Sequence, residues 1–434
     1  MAPIATLHLP QRPPGAGIPG DWRHANPLVA LLGLTVVLLP FLAPAGPGNT
    51  APADIGIVMS IVLGVLWITK EQLPFKVPYA AGVCGLVLGG VFAATVAGAP
   101  LGSAIVVAQD VLLLAWCAVL ALGRHNPAII RVTTRAWCLT AAIYSGVMVG
   151  AYLLGMKAVA GVSAKDGVRA AYTFGDPNLA GNYLVVSLFI MAACKHPRSP
   201  GLRRLGYLLV LTAIVFTGSN GAMLTLLIGS ALAFTLTRYR RHGVRDAVAA
   251  LAVSALIGVV AVGVVIPKVD LDQIREQAAG SVPLLRDSVG RSGSSTGERA
   301  IIVTEGAKLY LQGDATGYGP ARTKATLRST QAPYVKEAHN DYLATLLERG
   351  FVGAIGLLLL GIAVLIRCGR LAFGTLPTAY AEAVPRAWLM AVIGPVMAGA
   401  ASFYEVLHFR HLWTWLGIVA ALAFAMQNTE GEKK

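Results

Sequence analysis

Long apolar segments separated by short polar loops repeat along most of the chain. Twelve of them approach the length that crosses a bilayer as a helix. They cover residues 28–43, 55–69, 77–96, 101–122, 133–156, 179–193, 205–217, 222–237, 247–266, 351–366, 387–403 and 412–426. The pattern predicts an all-α integral membrane protein of about twelve transmembrane helices.

The same pattern divides the chain into five parts. Residues 1–27 form a polar tail rich in proline and glycine, which we predict to be disordered and not a signal peptide. Residues 28–267 hold nine spans, 268–338 one long loop, 339–427 a further helix and three spans, and 428–434 a second tail. Within the long loop we expect an amphipathic helix at 270–279, a flexible run at 290–297, a helix at 298–311 and a tight turn at 317–320.

Lysine and arginine alternate between successive loops. They fill the loops after the second, fourth, sixth, eighth and tenth spans, and the loops around 46–50, 98–100 and 218–221 carry none. The positive-inside rule therefore places both tails in the cytoplasm and the 268–338 loop in the periplasm. Charged residues make up only 13% of the chain, yet its formal net charge is +14. Topology and anionic lipid explain this charge without a nucleic-acid partner.

A polar cluster follows the long loop. His339, Asn340, Asp341 and Tyr342 begin a segment that continues to Gly353 and is typical of a helix entering the membrane. A histidine has a pKa close to neutral pH, so one in the first turn can accept a proton from a hydroxyl. An interfacial histidine that caps the helix is the alternative interpretation. Gly350 and Gly353 allow a break or close packing at the joint.

The sequence from His339 to Gly353 resembles the signature of the O-antigen ligase and polymerase superfamily. Four further elements agree with that family in order: Phe-Gly-Asp-Pro-Asn-Leu-Ala at 174–180, Thr-Gly-Glu-Arg at 296–299, Gly-Tyr-Gly-Pro at 317–320 and Trp-Thr-Trp-Leu-Gly at 413–417. The resemblance implies a GT-C-like fold in the bacterial inner membrane. It implies transfer of a glycan from undecaprenyl diphosphate to lipid A–core oligosaccharide on the periplasmic face, with inversion and without a cofactor or metal.

The resemblance also implies candidate site residues. His339 is the catalytic candidate, either as a base or as a diphosphate binder. The candidates for binding diphosphate or substrate are Arg299, Arg169, Asn178, Asn220, Arg291, Asn340 and Tyr342. Many family members carry Ser-Arg where this chain has Ser219-Asn220. We therefore expect Arg169 or Arg291 to provide the missing charge, since an amide donates hydrogen bonds but brings no charge.

Three other functions stay open: an O-antigen polymerase, a protein O-oligosaccharyltransferase and, more remotely, a transporter. Transport is disfavoured because no pair of spans is broken in matching halves. Asp110, the nearest acidic residue to a mid-span position, is expected to be alone.

Three smaller patterns have ordinary interpretations. Asp270 and Asp272 form an Asp-x-Asp pair that we do not expect to bind metal. His408 and His411 favour an interfacial aromatic cluster over a place in the site. Three glycines of the third span predict close helix packing: Gly85, Gly89 and Gly90.

Overall fold

The computed structural model describes residues 26–42, 50–98, 101–163, 167–260, 292–313, 315–332 and 340–431. In these ranges the chain is helical and contains no strand. Seven of the described helices are long and apolar enough to cross a membrane. An all-α membrane protein is therefore confirmed, and the count of twelve spans stays a prediction. Most of the predicted N-terminal tail and the helix expected at 270–279 lie outside the described residues.

Seventeen α-helices are described, and each predicted span overlaps one or two of them. They are α1 Pro27–Leu38, α2 Pro52–Glu71, α3 Ala80–Val96, α4 Leu101–Ala121, α5 Pro127–Leu153, α6 Lys157–Ala160, α7 Pro177–Cys194, α8 Pro200–Thr217, α9 Asn220–His242, α10 Val244–Val260, α11 Ser292–Gln312, α12 Thr323–Ser329, α13 Asp341–Phe373, α14 Thr378–Ala381, α15 Ala387–Ala391, α16 Ile393–Ala400 and α17 Arg410–Gly431. The predicted span 387–403 is split between α15 and α16.

Short local signals start several of these helices. Asn26, Asn126 and Asp176 precede a proline at the first helical position, and each side chain accepts a hydrogen bond from a main-chain N–H of the first turn. The proline lacks an N–H that would have no partner there, and the cap satisfies another such donor. These starts follow directly from the local sequence.

The helix termini gather at two ends of the bundle. At one end, which we call the Asp54 end, the start of α2 meets the start of α17 through Asp54 and Arg410, and Leu42 N donates to Thr173 O. At the opposite end, which we call the Arg124 end, the Tyr380 hydroxyl donates to the main-chain oxygen of Arg124. Arg124 belongs to one of the arginine-rich loops that the alternation predicts to lie on the same side of the membrane.

The α3 and α13 helices pack through facing glycines. A Cβ atom at Gly85 would lie 2.6 Å from the Cα of Gly356, and one at Gly89 would lie 2.5 Å from Gly353 N. Only residues without a side chain allow the two backbones to approach this closely. The predicted packing role of Gly85 and Gly89 is confirmed, and Gly353 contributes the close packing expected of it.

The α13 helix is kinked at Gly350, where φ is 61° and ψ is −162°. The predicted 317–320 turn fills the gap in the helical hydrogen bonds. Tyr318 N donates to Leu347 O over 2.7 Å, and Phe351 N donates away from the helix to Ala315 O over 2.9 Å. Glycine is favoured at the kink because side chains oppose this positive φ. Two separate elements of the family pattern are thus in direct main-chain contact.

Two expectations for the long loop need correction. The run at 290–297, predicted to be flexible, is helical from Ser292 onward as part of α11. The helix packs on α13 as expected, but through Ile302 and Gly306, which meets Leu343 and Leu347. The sequence predicts an apolar face made of Ile301, Ile302, Ala307 and Leu311, but Leu311 is 81% exposed. The α11 helix therefore presents a narrower apolar face to α13 than its sequence pattern suggested.

The expectation that Asp110 is alone is wrong. Its carboxylate forms a buried ion pair with the Arg349 guanidinium of α13. The local sequence gave no sign of this partner, because the two residues are 239 positions apart. A carboxylate inside a membrane is costly unless paired, and the ion pair removes that cost.

Candidate functional site

Two predicted site residues, Arg169 and Asn178, are in direct contact at the Asp54 end. Arg169 Nη2 donates to Asn178 Oδ1 over 2.8 Å, and Arg169 Nε donates to the main-chain oxygen of Thr217 over 2.8 Å. Arg169 is only 7% exposed, so it is held inside the protein between these two acceptors. Both of these acceptors are uncharged, and the planar guanidinium joins the end of α8 to the first turn of α7.

The start of α13 carries two further predicted residues. Asn340 caps the helix by accepting hydrogen bonds from Tyr342 N and Leu343 N. Its amide donates to Ser402 O over 3.3 Å, and the Tyr342 hydroxyl donates to Ala398 O over 2.9 Å. Tyr342 therefore fixes the start of α13 against the end of α16, and Asn340 fixes it against the segment that follows α16.

Sequence reasoning missed the role of Asp341 between these two residues. Its side chain is 3% exposed, and its Oδ2 accepts hydrogen bonds from Val406 N at 2.7 Å and Leu407 N at 3.2 Å. The main-chain N–H of Asp341 donates to Ala401 O over 2.9 Å. These two N–H donors stabilise the buried carboxylate and fix it to the segment that follows α16.

Asn220 begins α9, and its two neighbours contact Tyr404 of the same segment after α16. The preceding residue, Ser219, caps α9, and its Oγ lies 2.9 Å from the Tyr404 hydroxyl. Gly221 packs so closely on Tyr404 that a Cβ atom would lie 2.2 Å from the phenol oxygen. Asn220 itself is exposed. The Asn220 side chain therefore lies at the surface of the Asp54 end.

The segment 401–409, which we call the 401–409 loop, connects these helix starts together with the first residues of α17. Arg410 forms two hydrogen bonds of 2.6 Å with the Asp54 carboxylate of α2. His411 Nε2 lies 2.8 Å from Asn182 Oδ1 of α7. The starts of α2, α7, α9 and α13 are all held by this loop and the beginning of α17. No local motif identified the loop, because its role depends on contacts with distant helices.

Three predicted residues are less fully placed. Arg299 lies within α11, the helix that packs on the first half of α13. His339 and Arg291 lie outside the described residues. His339 directly precedes Asn340 in the sequence, so its place in the chain is next to the α13 cap. Among the described residues, no group of three His, Cys, Asp or Glu side chains is placed to hold a metal ion.

An apolar groove of about 450 Å³ runs along α13 from the Asp54 end. Its lining on α13 extends from Asp341 and Tyr342 to Leu365, roughly 36 Å along a helix. Met397, Leu412 and Trp415 belong to the opposite wall. The groove is polar only near the start of α13, so it suits a long hydrocarbon chain with a polar head at the Asp54 end.

These contacts all lie at the Asp54 end, on the outer turns of several helices. The same end carries the Arg169 guanidinium, a helix start whose cap directly follows His339 in the sequence, and the polar end of the apolar groove. Arginine binds phosphate through its fork of N–H donors, and main-chain N–H groups at helix starts favour anions.

Residues 205–358 match the O-antigen ligase family model. The match confirms, for this segment, the family resemblance predicted from the sequence. It covers about a third of the chain, from α8 to the middle of α13, and it includes Asn220, Arg299, His339, Asn340 and Tyr342. Arg169, Asn178 and the 401–409 loop lie outside it. No curated protein matches the chain.

Proposed function

We propose that this protein is an O-antigen ligase, which transfers a glycan from undecaprenyl diphosphate to lipid A–core oligosaccharide. The family match supports glycan transfer in general. The observation that favours a lipid-linked donor is the apolar groove along α13, whose polar end lies at Asp341 and Tyr342. The isoprenoid chain would lie in this groove, and the diphosphate would lie at the start of α13.

The alternation of basic loops supports an orientation for the reaction. Cations cluster at the Arg124 end, where Arg124 and Arg367 lie 5.4 Å from the Phe424 ring centroid. The positive-inside rule places this end in the cytoplasm and the Asp54 end in the periplasm of a bacterial inner membrane. Both termini are then cytoplasmic, and both lipid-linked substrates reach the site from the outer leaflet.

The chemistry requires one bond to form and one to break. The acceptor hydroxyl oxygen attacks the anomeric carbon, the bond from that carbon to the diphosphate oxygen breaks, and the configuration inverts. The diphosphate leaves as a stable anion, so it needs cationic donors and no metal, and Arg169 and Arg299 are the proposed donors. The hydroxyl proton passes to a base, for which His339 is the candidate.

The deciding experiment is the lipopolysaccharide profile of a deletion strain, analysed together with its lipid-linked intermediates. A ligase defect leaves long glycans on undecaprenyl diphosphate and free lipid A–core. Accumulation of single repeat units would instead assign the protein as a polymerase. Intact lipopolysaccharide together with an unglycosylated pilin would assign it as a protein O-oligosaccharyltransferase.

Orientation has a separate test. A cysteine introduced at Ser294, near the start of α11, is expected to react with an impermeant maleimide in intact spheroplasts. Cys84 is the exposed cysteine among the described residues, so the parent protein should carry Cys84→Ala. Labelling at position 294 only after lysis would contradict a periplasmic site.

A further inference from the structure

A second cavity, of about 340 Å³, opens at the Asp54 end beside the first turn of α7. We call it the His408 pocket, and the lining residues used below are Phe174, Asp176, His408, Phe409, Arg410 and His411. The cavity lies entirely outside residues 205–358, so the family match says nothing about it. It is also separate from the α13 groove, with which it shares no lining residue.

Two of the polar groups that line the cavity are a carboxylate and an imidazole. Asp176 and His408 are both exposed. Asp176 Oδ1 accepts hydrogen bonds from Asn178 N and Leu179 N, and within the described part of the chain Oδ2 has no hydrogen-bond partner. The His408 ring packs edge-on against Phe409, with centroids 4.9 Å apart, and likewise makes no hydrogen bond among the described residues. Asp176 Oδ2 is therefore available to accept a hydrogen bond from a ligand, and the His408 ring is available to donate or accept one.

The charges around the cavity disfavour an anionic ligand. Arg410 contributes to the wall, but Asp54 binds its guanidinium through two hydrogen bonds of 2.6 Å. Asp54 thereby offsets the Arg410 charge, and the Asp176 carboxylate would repel a phosphate group. A neutral ligand with several hydroxyls meets neither obstacle, because hydroxyls both donate to a carboxylate and accept from an imidazole.

The inner wall is aromatic. Phe174 and Phe409 are 5% and 7% exposed, and both lie against the His411 ring with centroids 6.5 and 5.2 Å away. An aromatic wall packs against the C–H face of a sugar ring while the hydroxyls reach the polar groups. Ligand pockets measure roughly 300–1,000 Å³, so this cavity has room for about one or two sugar rings.

We infer that the His408 pocket binds a neutral sugar ring of one of the two glycans. This inference rests on the proposed function for the source of the sugar. Asp176, which faces the cavity, also caps the helix whose Asn178 binds Arg169. A bound sugar would therefore lie next to the Arg169–Asn178 contact, where the donor glycan and the acceptor glycan are expected to meet.

Binding can be tested without any transfer reaction. The purified full-length protein is treated with diethyl pyrocarbonate, and modification of His408 is measured by peptide mass spectrometry. The probes are galactose, glucose and N-acetylglucosamine, with inorganic diphosphate as the anionic comparison and His242, exposed at the Arg124 end, as the control site. We expect a sugar to protect His408 but not His242. Protection of His408 by diphosphate would overturn the assignment of a neutral ligand.

Kinetics identify which glycan occupies the pocket. His408→Gln and Asp176→Asn each weaken a ligand hydrogen bond, and asparagine can still cap α7. We expect KM for one substrate to rise about tenfold with a smaller change in kcat. A rise for the lipid-linked donor assigns the donor sugar, and a rise for the acceptor glycolipid assigns the acceptor sugar. His242→Gln should leave both KM values unchanged.

No protection by any sugar, combined with unchanged KM values in both pocket variants, would overturn the inference. The protection result remains valid if the protein catalyses a different transfer.

Discussion

Arg349 and Asp110 form a buried ion pair that joins α13 to α4 immediately before the kink at Gly350. The side chains are 9% and 11% exposed. Arg349 Nη1 also donates to Leu86 O of α3 over 3.3 Å, so one guanidinium contacts three helices. The preceding residue, Glu348, binds the chain at Ala321 and Thr323 through its carboxylate. The position of the α13 start relative to the bundle depends on these contacts.

Removing one partner of this ion pair should destabilise the protein strongly. Asp110→Leu leaves the Arg349 charge buried without its partner, at a cost of about 3–5 kcal/mol. The double variant Asp110→Leu with Arg349→Leu removes both charges and should recover part of that loss. Thermal unfolding of the purified protein in detergent, combined with membrane yield, measures both effects. A double variant less stable than Asp110→Leu would contradict a role for charge pairing.

Glu348 should hold the 317–320 turn against α13. Its carboxylate accepts hydrogen bonds from Ala321 N at 2.8 Å, Thr323 N at 3.2 Å and the Thr323 hydroxyl at 2.6 Å. Each such bond contributes about 1.5–3 kcal/mol. In Glu348→Ala, amide hydrogen exchange at Ala321 and Thr323 should accelerate by at least about tenfold. Thr323→Val, which loses only the hydroxyl bond, should change less. Equal exchange in the wild type and in Glu348→Ala would rule out this contact as the restraint.

Arg169 should contribute more than its charge. A lysine cannot donate to both Thr217 O and Asn178 Oδ1 in the geometry of a planar guanidinium. We expect Arg169→Lys and Arg169→Ala both to reduce transfer, with a higher KM for the lipid-linked donor. Lys157→Ala is the matched control, because Lys157 is an exposed cation in the same connection between α5 and α7. Full activity of Arg169→Ala, as in the control, would remove Arg169 from the site.

The elements that the sequence predicts well depend on local chemistry. Asn126 followed by Pro127 marks a helix start, and the spacing of Gly85 and Gly89 marks a face for close packing. Both features arise from residues within one turn or two of each other. Lipid favours helices for every apolar segment because main-chain groups find no water there, so the pattern of spans follows from composition.

The features that the sequence does not reveal depend on contacts between distant segments. Asp110 meets Arg349 across 239 positions, and the Asp341 carboxylate caps N–H groups of the 401–409 loop. Arg169 faces inward because Thr217 O and Asn178 Oδ1 both accept from it. None of these partners has a local signature, and only the arrangement of the bundle brings them together.

His408 should react with diethyl pyrocarbonate at lower pH than an ordinary histidine. Partial desolvation by the surrounding protein, followed by the Arg410 guanidinium, lowers the pKa of His408, and Asp176 opposes the shift. Only the neutral imidazole is nucleophilic, so a lowered pKa extends its reactivity below the ordinary value of about 6.5. Peptide-level modification against pH gives the midpoint. Asp176→Asn should lower the midpoint further, since it removes the opposing charge. A midpoint above the ordinary value would contradict the electrostatic description of the pocket.

His339 should determine the pH dependence of transfer. A sugar hydroxyl is a weak nucleophile at neutral pH, and a base within hydrogen-bond reach accelerates attack by about 10²–10⁴-fold. Asn340, which directly follows His339 in the sequence, caps α13 at the polar end of the α13 groove and donates to Ser402 O. Lys336 and Arg349 are close to His339 in sequence, and the Arg349 charge is paired with Asp110.

Two experiments separate the roles of His339. As a base, it gives a wild-type rate that rises between about pH 5.5 and 7.5, because only the neutral imidazole accepts a proton. As a cationic diphosphate binder, it gives a rate that falls across the same range. We expect the rising profile, and we expect His339→Ala to abolish transfer while the protein is still inserted and thermally stable. His125→Ala, at the Arg124 end, is the control and should keep the wild-type rate and profile. A falling wild-type profile would assign diphosphate binding to His339, and an active His339→Ala protein would exclude both roles.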